Sequence, residues 1–192
     1  MSAGTLQERY ARELRTRRYE SDFEQVAALG PLEALRVRLL ERSAASIWRR
    51  LLPGTWSRPL AAPGSGGVYL FGPVGRGKTL LLDLFYDSLP IRQRRRSHFH
   101  HFMRDVHARL ARLRSRPAPL EVLAHELARQ IRVLCLDELY VGDIADAMIL
   151  GGLFEALLRR GVALVITSNL APHELYRDGL QRTRFLPTIA LL

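Results

Sequence analysis

The stretch that most constrains the fold of this chain is residues 67–88, which read GVYLFGPVGRGKTLLLDLFYDS. A short apolar run, 67–71, leads into a glycine-rich loop, and a helix is predicted from about Lys78 to Leu89. The spacing G-x-x-x-x-G-K-T between a strand and a helix is the P-loop signature. The sequence therefore predicts a site for nucleotide phosphates.

The residue types in the loop suit phosphate chemistry. Glycines permit tight turns that aim amide N–H groups at a phosphate, and the helix N-terminus adds its positive dipole end. Lys78 can reach the β- and γ-phosphate oxygens, and the Thr79 hydroxyl can ligate Mg²⁺. Lys78 is also the only lysine among 29 basic residues. The predicted cofactors are ATP and Mg²⁺, and the predicted binding residues are Gly72, Pro73, Val74, Gly75, Arg76, Gly77, Lys78 and Thr79.

Composition indicates an ordinary globular protein. The 192 residues are 47% hydrophobic and 25% charged, and no apolar run approaches the roughly 18 residues of a membrane span. The N-terminus is rich in arginine but interrupted by glutamates, unlike a transit peptide, so we interpret it as an amphipathic helix of a cytoplasmic protein. The lone cysteine, Cys135, suits a reducing compartment and is predicted to be a small core residue.

The net charge of +10 has two interpretations. It indicates an anionic partner, such as nucleic acid, an acidic protein tail or an anionic membrane surface, or else arginine-rich composition with solvated helix faces. The near-absence of lysine favours the second interpretation.

Composition shifts divide the chain into three parts: an N-terminal helical region over 1–52, a Pro- and Gly-rich linker over 53–66 and a core over 67–192. The N-terminal region is predicted to hold a helix over 5–18, then a helix capped by Ser21 or Asp22 and ended by Gly30. A third helix would begin at Pro31 and reach as far as Leu51.

Strands alternate with helices in the core, which predicts an α/β fold: a parallel sheet of the P-loop NTPase type, covered by helices on both faces. Apolar strands are predicted over 131–138 and 162–167, and the second has the continuous apolar character of a strand buried on both faces. The other predicted segments are a basic loop over 92–96, a strand over 97–102, helices over 103–114, 120–129 and 143–160, and a short helix after Pro172.

Two carboxylates end the strand 131–138. Ligands bind at the carboxyl ends of strands in open α/β sheets, and an apolar strand ending in Asp-Glu downstream of a P-loop is the Walker-B pattern. Asp137 would hold Mg²⁺ through its water shell, and Glu138 would orient and polarise the attacking water. The alternative is that these carboxylates only cap the next helix.

Three further residues are candidates for catalysis. Asn169 follows the next strand, where AAA+ ATPases place the sensor-1 amide, although an asparagine there can also simply begin a turn. Arg182 and Arg184 follow a short helix, and either could act as an arginine finger toward a neighbouring subunit or be a solvated side chain.

A histidine cluster invites a metal interpretation. On the predicted strand, His98 and His100 share a face and His101 points the other way. No cysteine or carboxylate nearby completes a ligand set, so we expect packing or hydrogen bonding rather than metal binding from these residues and from His107.

Four segments together resemble the ZapE-type AAA+ ATPases, a family of bacterial cell-division proteins with mitochondrial relatives. The segments are 69–90, 98–110, 133–162 and 167–187, and the string DIADAMIL over 143–150 is far more specific than the P-loop. The resemblance implies an AAA+ fold, ATP hydrolysis and the tubulin-like division protein FtsZ as partner. We expect a ring-shaped homo-oligomer, if the chain is complete, that acts at the division site. The resemblance also implies that Asn169 is a sensor, that Arg182 or Arg184 is the finger, and that Asp22 and Gln25 approach the adenine.

The chain departs from the family pattern at four points. Leu139 stands where phenylalanine usually follows Asp-Glu, His101 replaces an arginine, and Pro73 replaces a loop glycine. Family members also continue into a final strand and a helical lid. We therefore expect a truncated member with an open sheet edge beside the P-loop strand, in which nucleotide binding survives better than turnover.

Two other functions are compatible with the sequence. The basic composition and the segment 92–96 are compatible with a nucleic-acid-linked ATPase of the helicase-loader kind, whose binding would weaken with salt. The missing lid is compatible with a nucleotide-dependent binding module that does not turn ATP over.

Overall fold

The computed structural model describes residues 4–51 and 66–192, so the predicted linker lies, apart from Gly66, outside the described residues. The described chain divides into two compact units, one formed by 4–51 with 75–92 and the other by 66–74 with 93–192. None of the helices in these ranges combines the length and apolar character that a membrane span requires.

The first unit consists of three helices: α1 (Leu6–Arg17), α2 (Phe23–Leu51) and α3 (Lys78–Ser88). A capping box starts α1, in which the Thr5 hydroxyl accepts from the Glu8 N–H and the Glu8 carboxylate accepts from the Thr5 N–H. The Asp22 carboxylate accepts from the Glu24 N–H (2.8 Å) and caps α2 as predicted. Each of the three helices packs against the other two.

The prediction that Gly30 ends a helix is wrong, because α2 continues through Gly30 and Pro31 without a break. Proline in a helix interior removes one backbone hydrogen bond and costs about 3 kcal/mol. Burial of one face outweighs that cost, since the side chains on it are at most 3% exposed. These side chains are Leu29, Leu32, Leu35 and Leu39.

A hydrogen bond joins α1 to an ion pair within α2. In that pair the guanidinium of Arg36, a residue only 5% exposed, donates to both carboxylate oxygens of Glu33 at 2.9 and 2.7 Å. The Glu33 carboxylate also accepts from the Leu6 N–H at the start of α1 (3.1 Å). The hydrogen bond from Arg36 lowers the pKa of Glu33, and the bond from Leu6 acts in the same direction.

The second unit is built on a four-stranded parallel sheet in the order β1-β4-β3-β2. The strands are β1 (Val68–Phe71), β2 (Arg94–His98), β3 (Val133–Asp137) and β4 (Ala163–Ser168). The helices are α4 (Phe99–Arg112), α5 (Pro119–Gln130), α6 (Ile144–Arg159) and α7 (Leu186–Leu191), with 3-10 turns at Pro172–Glu174 and Arg182–Arg184. The predicted parallel α/β fold is confirmed.

The core of this unit lies between the sheet and helices α4, α5 and α6. Alternate residues of the two central strands enter it, namely Leu134 and Leu136 from β3 and Leu164 and Ile166 from β4. Cys135 points to the opposite face of the sheet and is fully buried, as predicted, and this burial raises the pKa of its thiol to about 12.

The prediction of a basic loop over 92–96 and a strand over 97–102 is wrong. The strand is Arg94–His98, and His100 and His101 lie on α4 rather than on a strand. The buried side chains Phe99, Phe102, Met103 and Val106 have helical spacing, and this packing overrides the alternating pattern in the local sequence. The strand tolerates its arginines because Arg95 pairs with Asp105 (2.9 Å) and Arg96 with Asp137 (2.7 Å).

Replacing Gly30 with alanine should stabilise the protein. Gly30 is helical, and a Cβ added there meets nothing within 4 Å, so Gly30→Ala should raise the free energy of unfolding by about 0.5–1 kcal/mol in a urea titration. The matched control is Gly151→Ala in α6, where the new Cβ would crowd the Thr188 hydroxyl and should lower stability. A loss of stability in Gly30→Ala would contradict the continuous helix.

Replacing Glu33 with glutamine should remove a pH-dependent contribution to stability. Because the folded pKa of Glu33 lies below its ordinary value of 4.5, its contribution is complete above that pH and is lost as pH falls through the folded pKa. Glu33→Gln should therefore cost about 1–3 kcal/mol at pH 7, and the difference from wild type should shrink in acid. Glu41→Gln, an exposed change on the same helix, should show neither effect in urea titrations at pH 7 and pH 3.5.

Candidate active site

The predicted phosphate loop has the backbone conformation that its glycines permit. Gly72, Gly75 and Gly77 have φ values of 143°, 82° and 76°, a region that residues with a Cβ rarely enter. Gly77 is the N-cap of α3 and, as a glycine, has no side chain with which to cap the first turn of that helix. The helix therefore begins at Lys78, as predicted, with Lys78 and Thr79 as its first two residues.

Within the first unit, the N-terminal helices contact the loop through Arg76. The Arg76 guanidinium lies 2.8 Å from the Glu24 carboxylate and 3.5 Å from that of Asp22. The hydrogen bond that Arg76 donates to Glu24 raises the pKa of Arg76. The Arg76 side chain is 46% exposed, so solvent screening limits the contribution of these pairs to stability. Their main effect is to direct the Arg76 side chain toward the start of α2.

Gln25 adds a second contact between α2 and the loop. Its amide nitrogen donates to the Arg76 carbonyl oxygen (3.2 Å), and its amide oxygen accepts from the Tyr10 hydroxyl (2.9 Å). A Cβ on Gly77 would meet the Gln25 amide at 2.6 Å and would displace that side chain, and the positive φ of Gly77 itself favours glycine. Tyr10 was not singled out from the sequence, because its partner lies on another helix.

Asp137 ends β3 as a buried carboxylate, and its partner is Arg96 on the neighbouring strand. Arg96 donates from Nε to Oδ2 (2.7 Å) and from Nη2 to Oδ1 (3.2 Å), a two-point pairing that fixes the plane of the carboxylate. The parallel register places Arg96 beside Cys135 and His98 beside Asp137. Sequence analysis missed Arg96 because the run of arginines resembles a solvated loop. The alternation of Arg94, Arg96 and His98 was the sequence signal that indicated a strand.

Glu138 adopts a different conformation from the strand before it. Its φ of 58° is left-handed, which for a residue with a side chain costs on the order of 1 kcal/mol. The side chain is 74% exposed, and one carboxylate oxygen lies 4.0 Å from His98 Nδ1. The carboxylate is therefore accessible to water at the carboxyl edge of the sheet, immediately after the buried Asp137.

Asn169 directly follows β4, and its side chain is exposed. Since β3 and β4 pair in parallel, Glu138 and Asn169 both leave the sheet at its carboxyl edge. Hydrogen bonds link the two strand ends. The Glu138 N–H donates to the Thr167 hydroxyl (3.0 Å), and the Ser168 hydroxyl donates to the Leu139 carbonyl (2.7 Å). Neither Thr167 nor Ser168 was predicted from the sequence.

The two candidate finger arginines differ in their surroundings. Arg182 donates to the His173 carbonyl oxygen (2.6 Å), so its side chain is held within its own unit. Arg184 is exposed, and its guanidinium makes no hydrogen bond or ion pair with the described residues. Of the two, Arg184 is the more exposed, and Arg182 is partly buried.

The histidines do not form a ligand set with other residues. The ring centroids of His100 and His101 lie 3.9 Å apart with the ring planes tilted by 48°, and the charge of His100 lowers the pKa of His101. His107 Nε2 lies 2.6 Å from the Asp146 carboxylate near the start of α6. Over 4–51 and 66–192, no group of three histidine, cysteine or acidic residues is arranged to hold a metal ion.

Comparison with solved structures identifies the fold. The chain superposes on DnaI with a TM-score of 0.53 and 20% identity, covering 88% of this chain and 78% of that one. It superposes on domain III of the Thermotoga maritima replication initiation protein DnaA with a TM-score of 0.50 and 19% identity, covering 66% and 53%. These likenesses support the AAA+ type of P-loop fold.

Sequence comparison identifies relatives and a family. The chain is 56% identical to the cell division protein ZapE of Escherichia coli K12 over 123 residues, 64% of this chain and 33% of that protein. It is 47% identical to lactation elevated protein 1 homolog B of Danio rerio over 137 residues, 66% and 27%. The chain thus spans about a third of the length of these relatives. The family model for AFG1-like ATPases matches residues 4–192, and the chain belongs to that family.

Proposed function

We propose that this chain binds Mg²⁺-ATP at residues 72–79, hydrolyses it with Glu138, and acts on a protein partner in cell division. The observation that carries the catalytic part is the end of β3. A buried carboxylate is followed there by an exposed one, beside a strand that Asn169 directly follows, in a chain of an ATPase family. The cell-division part is supported by the name of the E. coli relative.

The residues of the chain suit the phosphates of a nucleotide. Three glycines of the loop have positive φ values and carry no side chain, so an anion can approach the backbone at these positions. Lys78 supplies a compact ammonium for the β- and γ-phosphate oxygens, and the N-terminus of α3 adds partial positive charge.

The available oxygen donors also suit magnesium. Mg²⁺ keeps several waters and uses one or two protein oxygens together with substrate phosphates, so it does not need a dedicated protein cage. Thr79 and Asp137 would hold the ion, which when bound neutralises charge on the phosphates. Because Arg96 donates to both Asp137 oxygens, the remaining lone pairs of that carboxylate suit hydrogen bonds from metal-bound water.

Glu138 and Asn169 are assigned to the attacking water. The exposed Glu138 carboxylate accepts a hydrogen bond from that water and draws off its proton as the oxygen attacks. The Asn169 amide donates to the γ-phosphate, and Arg184 is the better candidate for a finger directed at a second copy in a ring because its guanidinium is exposed.

A nucleic-acid-linked ATPase is the second candidate, motivated by the charge of +10. The structure weakens the case for nucleic-acid binding by the basic segment, because Arg95 and Arg96 are paired with carboxylates of the chain itself. Binding of single-stranded DNA that falls steeply between about 50 and 200 mM salt would support this candidate.

Substitutions should separate nucleotide binding from turnover. Lys78→Ala should abolish binding of a fluorescent ATP analogue. Glu138→Gln should retain binding and lower kcat by about 10²–10⁴-fold, because it removes a general base. Glu126→Gln, an exposed change on α5, is the control and should behave like wild type, and EDTA should stop turnover. Full turnover by Glu138→Gln would reject the proposed role, and binding without turnover in wild type would instead indicate a nucleotide-dependent binding module.

The partner is tested by co-sedimentation with polymers of FtsZ. The wild-type chain should co-sediment in the presence of ATP and Mg²⁺, and Lys78→Ala should stay in the supernatant because it cannot bind the nucleotide. Equal sedimentation with and without ATP would contradict a nucleotide-dependent action on this partner.

A further inference from the structure

The turn after β3 moves Glu138 away from the apolar core. In an extended strand, Glu138 would share the face of Leu134 and Leu136, which lies in the core beneath α4, α5 and α6. The left-handed conformation at Glu138 breaks this alternation. Leu139 takes the buried position with 1% exposure, and the Glu138 side chain is 74% exposed. The accessibility of the carboxylate thus depends on one unfavourable backbone conformation.

Thr167 of β4 accepts two hydrogen bonds that stabilise that conformation. Its hydroxyl accepts from the Glu138 N–H (3.0 Å), and its carbonyl oxygen accepts from the Leu139 N–H (2.7 Å). Thr167 is 2% exposed, so water does not compete for these bonds. These two bonds fix Glu138 and Leu139, the residues at which the chain turns.

Ser168 makes further hydrogen bonds, one to the turn after β3 and one to the residue that follows Asn169. Its hydroxyl, in a residue 1% exposed, donates to the Leu139 carbonyl (2.7 Å) and accepts from the Leu170 N–H (3.1 Å). The turn that carries Glu138 and the turn that carries Asn169 are therefore bonded to each other. A shift of one turn would break bonds that hold the other.

We propose that Thr167 is a positioning residue for ATP hydrolysis, whose hydroxyl holds the Glu138 backbone in the left-handed conformation that presents the carboxylate to water. The proposal rests on the proposed function, since it presupposes that Glu138 acts on the water. Thr167 is buried, and it acts through the Glu138 N–H.

Packing alone does not account for a threonine at this position. A buried strand favours valine, which has the same shape and no hydroxyl to satisfy. The Thr167 hydroxyl has a specific acceptor function in the turn, and valine would leave the Glu138 N–H without that acceptor. Thr167→Val is therefore the informative change, and Thr167→Ser restores the hydroxyl.

The test uses four variants of the full chain. They are Thr167→Val, Thr167→Ser, the matched control Thr188→Val at another buried threonine of the same unit, and Glu138→Gln. Three quantities are compared: the hydrogen-exchange rate of the Glu138 amide, the dissociation constant of ATP, and kcat with KM. Urea titration reports the stability of each variant.

The expected result is specific to Thr167→Val. Loss of one hydrogen bond should speed exchange of the Glu138 amide and lower kcat, each by about tenfold. KM and the ATP dissociation constant should change by less than about twofold, because binding does not use this bond. Thr167→Ser should recover kcat, and Thr188→Val should keep it at any comparable loss of stability.

Two outcomes overturn the proposal. One is equal exchange of the Glu138 amide in Thr167→Val and Thr167→Ser, a comparison that does not require turnover. The other is a kcat for Thr167→Val that matches Thr188→Val while Glu138→Gln is inactive. If Glu138→Gln hydrolyses ATP normally, the proposed function fails instead, and the exchange rates still decide whether the hydroxyl holds the turn.

Discussion

The parallel pairing of β3 with β4 is the constraint on which the rest of the second unit depends. Every residue of both strands is buried, so most of their side chains are apolar, and polar side chains occur only at the last positions, Asp137 in β3 and Thr167 and Ser168 in β4. The pairing joins Leu136 to Ile166, which brings the two strand ends to one edge. Asp137, Glu138 and Asn169 lie at that edge because the two strands end side by side.

Arginines serve as internal counterions in this chain. Arg96 pairs with Asp137, Arg95 and Arg109 share Asp105, and Arg159 and Arg160 share Glu121. A planar guanidinium can hold a carboxylate at two points, so arginine suits these shared sites better than lysine does. Part of the basic composition is therefore explained by structure within the chain.

Local features were predictable from the sequence. The P-loop, the boundaries of α3 and the carboxylate end of β3 follow from residue order over a few positions. The position of β2 was not predictable, because its arginines are stabilised by partners far along the chain: Arg96 and Asp137 are separated by 41 positions. The continuity of α2 through Pro31 likewise depends on burial of leucines that a local breaker signal does not reveal.

The hydrogen bonds of Thr167 and Ser168 were missed for a related reason. In sequence, both residues look like the last positions of an apolar strand, and their hydroxyls acquire partners only when β3 lies alongside. The positive φ of Glu138 has no sequence signal either, because glycine, asparagine or aspartate would be the expected residue for such a conformation.

The single lysine at the start of α3 has a practical consequence. Lys78 is the only side-chain amine in the 192 residues, so acylating reagents and amine-directed cross-linkers can modify only this position and the α-amino group. Modification at Lys78 would remove the ammonium from the phosphate loop and add bulk in the same event. The mass shift at Lys78 would then report the fraction of molecules whose loop is modified. A bound nucleotide that protects Lys78 from the reagent would lower that fraction, which would measure occupancy of the site without a spectroscopic label.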